Sequence, residues 1–468
     1  MTLLSFCTRA IALGAVLGSV TLSAQYTPSS RDDEHRAILR ELVEINTSPD
    51  GGSVAPAARA VAARLKAAGF ADEDLETIGP DATCVNVLAT LRGKDSAARP
   101  VLLMAHLDVV PAKREDWAFD PYVLREENGW FLGRGVLDNK AGASVLVANM
   151  MRWRREGFVP SRDVIMVLTC DEETSAESGM RWLLANRPRL AQAEYALNTD
   201  AGGVERRTSG RVAFYVQAAE KSYVTFALTA RNEGGHSSVP RPDNAIYALA
   251  AALGRLASHR FPVQYNPVSQ ASFARVASLE SGQLADDLAA AGRGETSGPA
   301  IDRLAAIPHV NSDLRTTCVA TMLTAGHAEN ALPQSATATV NCRVMPGTSE
   351  AEVKRALESV VGDPTITVST VYQMIPSTAS PLRDDVLPAI EKAADAFWRG
   401  AQVVPGMSAG ATDGLYLRNV NVPVFGLSAI EIDPADDRSH GLDERAPVKS
   451  VFESREYWYA LVKALLGR

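Results

Sequence analysis

The sequence contains little cysteine and no long hydrophobic run beyond its first 24 residues. Five cysteines among 468 residues are too few and too scattered for a disulfide scaffold, and none are spaced as in a zinc ribbon. No later apolar run reaches the ~20 residues that a membrane-spanning helix needs. Basic clusters are scarce as well, since 47 Lys and Arg face 55 Asp and Glu, for a formal net charge of −8. An acidic chain of this kind is a poor nucleic-acid binder, so no such partner is expected.

The four cysteines after Cys7 leave two interpretations open. Cys318 and Cys342 each lie in a strand-like run, so they would be able to face each other and form a disulfide in an oxidising compartment. The alternative is that Cys84, Cys170, Cys318 and Cys342 are all buried free thiols.

Residues 1–24 have the pattern of a secretory signal peptide. Arg9 is the only charged residue before Arg31, the stretch from Ala10 to Val20 is apolar, and small residues precede a cleavage point after Ala24. An uncleaved anchor or a wrongly assigned start is the alternative. Cleavage would remove the charge of Arg9 and change the net charge from −8 to −9. We therefore expect a secreted or periplasmic protein with no stable membrane span after processing.

The length favours two domains. In residues 31–218, and again in residues 376–468, strand-like runs alternate with helical patterns. This alternation is typical of an α/β domain with a doubly wound, mostly parallel sheet. Residues 219–375 instead combine alternating strands, an Ala-rich helix and a weakly periodic stretch. We predict a sheet domain that is interrupted by an inserted α+β domain.

The sharpest chemical feature is the end of the apolar run from Val164 to Thr169, where three carboxylates follow. Three like charges at the mouth of a buried strand are costly unless a cation lies among them. Several other strand-like runs also end in an acid or a histidine, and the carboxyl ends of parallel strands meet at one edge of a sheet. The candidates gathered at that edge are His106, Asp108, Asp138, Glu172, Glu173, Asp200 and His440.

This set of side chains indicates a metal site. A single histidine or aspartate at a strand end is usually structural, but several together are not expected from packing alone. Imidazole and carboxylate ligands without thiolate suit zinc or a neighbouring first-row metal. The set is too large for one open tetrahedral site and large enough for two metals that share a bridging carboxylate. Asp108 lies two residues from His106 and is placed to orient the imidazole.

Five motifs occur in an order that resembles a known enzyme family. The sequence is similar to the di-zinc exopeptidases and deacylases of clan MH, which include glutamate carboxypeptidase, succinyl-diaminopimelate desuccinylase, aminoacylases and carnosinase-like dipeptidases. The matching motifs are His106–Asp108, Gly135–Lys140, Asp171–Glu173, Gly234–Ser238 and Ser439–Gly441. They span nearly the whole mature chain.

The resemblance implies a role for each candidate at the metal centre. One zinc would be bound by His106 and Asp200 and the other by Glu173 and His440. Asp138 would bridge the two ions through a loop with a cis Asp138–Asn139 peptide. Glu172 would be the general base, with Asp108 supporting the catalytic site. Cobalt or manganese would be possible substitutes for zinc.

The resemblance also implies that the inserted domain is a lid and dimerisation domain. His236 would reach across a homodimer to the partner's site and stabilise the tetrahedral intermediate. Asn330 and Arg343 would hold the substrate, Arg343 as a clamp on a carboxylate. Gly410 and Thr412 match a small-residue loop near the substrate.

The expected reaction is hydrolysis of an amide or peptide bond next to a free carboxylate, by a water between the two metals and Glu172 as the base. An exopeptidase of the dipeptidase or carboxypeptidase type is favoured, because position 200 is Asp where deacylase branches carry Glu. The alternative is an N-acyl-amino-acid amidohydrolase of the aminoacylase type that uses the same site. A non-catalytic relative is disfavoured because the ligands and the base are all present.

Overall fold

The structure, a computed structural model, describes residues 29–174, 179–207 and 209–467. The predicted signal peptide, residues 1–24, lies outside the described residues. Within those three ranges, no helix combines the length and apolar composition that a membrane span requires.

The helices and strands follow the order expected for a sheet domain with an insertion. The first part contains α1 (Ser30–Glu44), α2 (Ala55–Ala67), β1 (Leu75–Ile78), β2 (Asn86–Leu91), β3 (Val101–His106), β4 (Arg125–Glu127), β5 (Trp130–Leu132), α3 (Lys140–Arg155), β6 (Val164–Thr169), α4 (Gly179–Asn186), β7 (Tyr195–Asn198), β8 (Gly203–Arg206) and β9 (Val212–Glu220). The middle part contains β10 (Ser222–Arg231), β11 (Gly235–His236), α5 (Ala245–Ser258), α6 (Pro267–Leu279), α7 (Gly282–Gly292), α8 (Pro299–Ala305), α9 (Pro308–Leu314), β12 (Thr317–Ala325), β13 (Ala331–Leu332), β14 (Ser335–Val344), α10 (Glu350–Val361) and β15 (Ile366–Tyr372). The last part contains α11 (Leu387–Phe397), β16 (Gln402–Ser408), α12 (Gly414–Asn419), β17 (Val424–Gly426), β18 (Arg445–Pro447) and α13 (Val448–Leu466).

The central sheet has the strand order β1-β2-β6-β3-β7-β17-β9-β16, with β8 beside β9. Strands β6, β3, β7 and β17 run parallel to one another. Strands β1, β2 and β8 join the sheet antiparallel. The centre of the sheet is thus parallel, as predicted, and antiparallel pairs lie toward its ends.

Successive residues of β6 point to opposite faces of this sheet. Val164, Met166 and Leu168 belong to the core that includes α1, α2, α3, α11 and α13. Ile165 and Val167 pack with residues of α4 and α12 instead. Helices therefore cover both faces of the strand, which confirms the doubly wound arrangement and explains why β6 is apolar throughout.

A second, antiparallel sheet has the order β12-β14-β10-β15. Strand β10 alternates, so that Val224, Phe226 and Leu228 are buried in a core with residues of α5 and α10. This sheet with helices on one face is the α+β unit expected for the insertion.

The weakly periodic stretch forms the four helices α6 to α9. They have a small core of their own. They also touch the central sheet, because Leu279 at the end of α6 packs with Ala213 of β9 and Val404 of β16. Just beyond them, the buried Lys221 donates from Nζ to the carbonyl oxygen of Arg315 at 2.7 Å. These helices therefore lie beside the edge strand of the central sheet.

Both pairs of cysteines form disulfides, so the interpretation as free thiols was wrong. Cys318 pairs with Cys342 across the neighbouring strands β12 and β14, as the alternative prediction had it. The bond between Cys84 and Cys170 was not predicted. Cys84 precedes β2 and Cys170 follows β6, and their proximity depends on β2 pairing with β6, which the cysteine spacing does not reveal.

We expect a buried histidine in α1, His35, to make the stability of the fold depend on pH. His35 is fully buried, with Nε2 2.8 Å from Ser144 Oγ. Burial, assisted by the charge of Arg455, lowers the pKa of His35 to about 3. As the pH falls below the unfolded value near 6.5, the unfolded state takes up a proton that the folded state refuses. We expect the free energy of unfolding to decrease by about 2 kcal/mol on account of His35 when the pH is lowered from 7.5 to 5.

Urea unfolding of metal-free wild type and metal-free H35Q at pH 7.5 and pH 5 measures this decrease in the free energy of unfolding. Wild type should be the more stable at pH 7.5, and its advantage should shrink by the expected amount at pH 5. An advantage that stays constant between the two pH values would contradict the assignment.

Candidate metal centre and active site

The candidate ligands gather at the carboxyl ends of adjacent strands. His106 is the last residue of β3, and Glu173 and Asp200 follow β6 and β7, its neighbours on either side. Asp138 precedes α3, and His440 lies in the loop between β17 and β18. The parallel order at the centre of the sheet is what brings these distant segments together.

The ligands form two groups that share one carboxylate. In the first group, His106 Nε2 lies 2.9 Å from Asp138 Oδ1 and 3.4 Å from Asp200 Oδ1. In the second, His440 Nε2 lies 3.1 Å from Asp138 Oδ2 and 2.9 Å from Glu173 Oε2. The ligand atoms within each group all lie within 4.8 Å of one another. The two oxygens of Asp138 thus face different histidines, which is the geometry of a bridging ligand.

The chemistry of these groups fits two metal ions. Each group offers one imidazole nitrogen and carboxylate oxygens, ligands that suit zinc and its neighbours. Glu173 Oε1 is buried and has no hydrogen-bond partner among the described residues. A buried carboxylate oxygen without a partner is costly, and a cation removes that cost. The binuclear arrangement that the sequence predicted is therefore compatible with the side chains present.

The protonation of these groups reflects crowded negative charge. Burial raises the pKa of Asp200 to about 7. Hydrogen bonds to Asp138 and Glu173 raise the pKa of His440 to about 10. Burial alone would lower the pKa of His106, but Asp200 and the neighbouring acids raise it well above its usual value. The acids around each imidazole thus favour positive charge at the place where a metal ion would supply it.

Asp108 orients His106 mainly through its backbone. His106 Nδ1 lies 3.1 Å from the carbonyl oxygen of Asp108 and 3.5 Å from its Oδ1. A carbonyl only accepts, so Nδ1 carries the proton and Nε2 of the neutral ring is left to bind metal. The other carboxylate oxygen, Oδ2, accepts from the backbone N–H of Glu173 at 2.9 Å. Asp108 therefore ties a ligand of the first group to a ligand of the second.

Glu172 lies among other acids beside the ligand groups. Burial, and then the charges of Asp200, Asp413 and Glu173, raise its pKa well above the usual carboxyl value. Asp413 itself is buried and accepts from Thr169 Oγ1 at 2.5 Å. Asp171, the residue before Glu172, accepts a hydrogen bond from Thr174 Oγ1. The sequence suggested no role for it.

The predicted cis peptide between Asp138 and Asn139 is present. Asn139 Nδ2 donates to the carbonyl oxygen of Thr199 at 3.2 Å, and Thr199 Oγ1 donates to Asn139 Oδ1 at 2.8 Å. These bonds link the loop of Asp138 to the residue that precedes Asp200.

His236 and Asn330 lie together in the inserted domain and belong to neither ligand group. His236 is exposed in β11, and its Nδ1 accepts from the backbone N–H of Ser238 at 3.2 Å and lies 2.7 Å from Ser238 Oγ. The carbonyl oxygen of Asn330 accepts from the backbone N–H of Ser237 at 3.0 Å.

Arg343 connects the inserted sheet to the loop that carries Gly410 and Thr412. It lies on β14 with its guanidinium 5.0 Å from the centre of the Tyr223 ring. Its Nη1 donates to the carbonyl oxygen of Ala409 at 3.3 Å. Gly410 is exposed, and its N–H donates to Ser408 Oγ at 3.0 Å.

Thr412 is turned toward the interior. Its hydroxyl and backbone N–H both donate to Glu220 Oε2, at 3.0 and 3.1 Å. Glu220 also forms a buried ion pair with Arg418 at 2.7 Å. The side chain of Thr412 thus braces the loop from inside.

Sequence reasoning missed the pair formed by Arg134 and Glu444, which joins the loops of Asp138 and His440. Glu444 Oε2 lies 2.8 Å from Arg134 Nη1, and both side chains are buried. Arg134 directly precedes the Gly135–Lys140 motif and Glu444 follows the Ser439–Gly441 motif, but nothing in their spacing signals that they meet.

Comparison with known proteins identifies the family. Residues 102–464 match the sequence profile of Peptidase family M20/M25/M40, and the chain belongs to this family. It is accordingly a hydrolase of the peptidase and amidohydrolase type.

Three relatives illustrate the range of the family. The chain is 29% identical to the N-fatty-acyl-amino acid synthase/hydrolase PM20D1 of Xenopus tropicalis over 386 residues, which is 80% of this chain and 74% of that protein. It is 26% identical to a probable carboxypeptidase S-like 2 of Dictyostelium discoideum, over 80% of this chain and 73% of that protein. The fold is similar to that of human carnosine dipeptidase 1, with a TM-score of 0.67, 16% identity and coverage of 93% of this chain and 96% of that one.

Proposed function

We propose that the protein is a zinc-dependent hydrolase that cleaves an amide bond next to a free carboxylate. The observation that carries this proposal is the pair of ligand groups that share Asp138. Two bound zinc ions would lower the pKa of a water molecule and polarise the scissile carbonyl. Cobalt and manganese accept similar ligands and are the expected substitutes.

Glu172 is proposed as the general base and then the general acid. It lies between Asp171 and the ligand Glu173, and its raised pKa brings it closer to neutrality, where proton transfer is most effective. It takes a proton from the attacking water and returns it to the leaving amine. Asp108 holds His106 in the required tautomer while this happens.

Arg343 is proposed to bind the free carboxylate of the substrate. Its contact with Ala409 places the guanidinium beside the loop of Gly410 and Thr412, which follows β16 and precedes α12 on the catalytic side. Burial lowers the pKa of Arg343, so an incoming carboxylate would find a partly desolvated cation, for which a two-pronged ion pair is favourable. Asn330 is proposed as a second substrate contact, from the inserted domain.

Two substrate classes compete. The exopeptidase assignment has support from the carboxypeptidase-like and dipeptidase relatives. The N-acyl-amino-acid assignment has support from the relative that carries that activity in its name and aligns with 80% of this chain.

Assays of the zinc-loaded protein on free dipeptides, N-acyl amino acids and C-terminally amidated peptides separate the two classes. A dipeptidase requires the free amino group, whereas an amidohydrolase of the second kind accepts a blocked one. Rapid cleavage of C-terminal amides would eliminate Arg343 as the carboxylate clamp. A protein that is inactive on all three substrates with two metals bound would contradict the proposed function.

We propose that the protein is a homodimer joined through the inserted domain. Strand β12 is an edge strand of the four-stranded sheet. It exposes Val319, Met322 and Leu323, which are 58%, 65% and 58% accessible. Apolar side chains on an open edge strand favour association with a second copy. In this arrangement His236 would donate to the oxyanion that develops in the partner's site.

Mixing two inactive variants tests whether His236 acts across the dimer. E172Q removes the base and keeps His236, whereas H236A does the reverse. If His236 acts in the partner's site, re-associated mixtures recover about a quarter of wild-type activity, because half of the dimers are mixed and each has one complete site. Activity that never exceeds the sum of the two variants, in mixtures shown to exchange subunits, would rule out action in trans.

Export from the cytoplasm is proposed on two grounds. Residues 1–24 have the composition of a signal peptide. The two disulfides, Cys84–Cys170 and Cys318–Cys342, favour an oxidising compartment such as the periplasm or the exterior. Fractionation of cells that express the full chain, with N-terminal sequencing of the mature protein, tests the proposal.

A further inference from the structure

The carboxylate of Glu444 is fully buried, and each of its oxygens accepts two hydrogen bonds. Its Oε2 accepts from Arg134 Nη1 at 2.8 Å and from the backbone N–H of Gly135 at 2.9 Å. Its Oε1 accepts from the backbone N–H groups of Leu137 and Asp138 at 2.8 and 3.0 Å. One carboxylate therefore fixes the backbone that leads into Asp138, and it accepts a hydrogen bond from the N–H of Asp138 itself.

Arg134 extends this network to His440. Its side chain is 3% exposed, and its Nη2 lies 3.4 Å from the carbonyl oxygen of His440 and 3.2 Å from that of Gly441. The guanidinium also lies 5.1 Å from the centre of the Trp117 ring, a favourable cation–π distance. Arg134 thus bonds the backbone of the loop that carries His440, while Glu444 bonds the loop that carries Asp138.

The two histidines depend differently on this network. The side chain of His106 is 1% exposed and sits at the end of a buried strand, so packing fixes its position. The side chain of His440 is 53% exposed, and its backbone adopts a left-handed φ of 62°. Packing alone therefore does not hold His440 beside Glu173 and Asp138, and the bonds to its loop take that role.

We propose that Arg134 and Glu444 are positioning residues of the metal centre, and that they act chiefly on the ion bound by Glu173 and His440. This inference rests on the proposed binuclear site. Residues behind metal ligands typically alter metal affinity by about 10- to 100-fold. Loss of the pair should weaken the second ion by that factor and leave the ion of His106 and Asp200 close to its wild-type affinity.

The variants R134M and E444Q test the proposal, with R455M as the matched control. Arg455 forms another buried ion pair, with Asp32 at 2.7 Å, between α13 and α1. Its loss removes a comparable pair away from both ligand groups. R134K, which keeps the charge but not the forked geometry, provides the same comparison should R134M fail to fold.

Two measurements distinguish positioning from simple stability. Thermal unfolding of the metal-free variants measures destabilisation, and titration with zinc against a competing chelator measures the affinity of each ion. We expect R134M, R134K and E444Q to bind one ion as wild type and the second 10- to 100-fold more weakly. R455M should be destabilised yet bind both ions normally.

Three results would overturn the proposal. The first is normal binding of both ions by R134M and E444Q, which would make the pair structural only. The second is equal weakening of both ions, which would remove the assignment to the ion of His440. The third is a wild-type protein that binds fewer than two ions. That result would also refute the proposed function, whereas the first two would leave it intact.

Discussion

Replacement of Glu172 by glutamine should leave two metal ions bound and lower kcat by about 10²- to 10⁴-fold, the range for a positioned acid–base group. Glutamine keeps the shape of the side chain but neither accepts nor returns a proton. Burial and nearby acids raise the pKa of Glu172 above the usual range, so the carboxyl is poised for both transfers. Glu173 remains to bind metal in this variant.

Steady-state kinetics together with metal analysis of E172Q provide the measurement, and D171N is the neighbouring control. Asp171 has a positive φ of 63°, which asparagine also tolerates, and it is outside both ligand groups. The loss in D171N should be far smaller. Near-wild-type turnover by E172Q would show that another group moves the proton.

The sequence predicted which side chains gather in the two candidate ligand groups, because the placement of three of them follows a simple rule of parallel sheets. His106, Glu173 and Asp200 each come at or just after the end of an apolar strand. In a doubly wound sheet such ends share one edge, so the contacts of the metal centre do not depend on the details of side-chain packing. The fold was predictable for a similar reason, since β6 is apolar on both faces and needs helices on each.

Contacts that depend on which distant segments meet in the folded chain were not predictable. Cys84 and Cys170 are 86 residues apart and meet only because β2 joins the sheet beside β6. Arg134 and Glu444 are 310 residues apart, and their contact requires the loops of Asp138 and His440 to be closed against each other. The inward contact of Thr412 was not predictable either, because it depends on the buried Glu220, whose position the spacing does not encode.

Replacement of Asp138 by asparagine should remove the binuclear site altogether. Asp138 offers Oδ1 to the side of His106 and Oδ2 to the side of His440, whereas asparagine has one oxygen and no charge. We expect D138N to hold neither ion tightly, because each ion loses the charge of its shared ligand. Because each metal lowers the activation barrier by several kcal/mol, loss of the metals should reduce kcat/KM by about 10³-fold or more.

H440N is the matched comparison, because it removes a ligand from one ion only. It should weaken the ion of Glu173 and leave the ion of His106 and Asp200 in place, so the two variants should differ in how many ions they lose. Metal analysis after dialysis against a weak chelator provides the count, and circular dichroism confirms that both variants fold. If D138N keeps two ions, or loses no more metal than H440N, then Asp138 does not bridge, and the two groups of ligands act as independent sites.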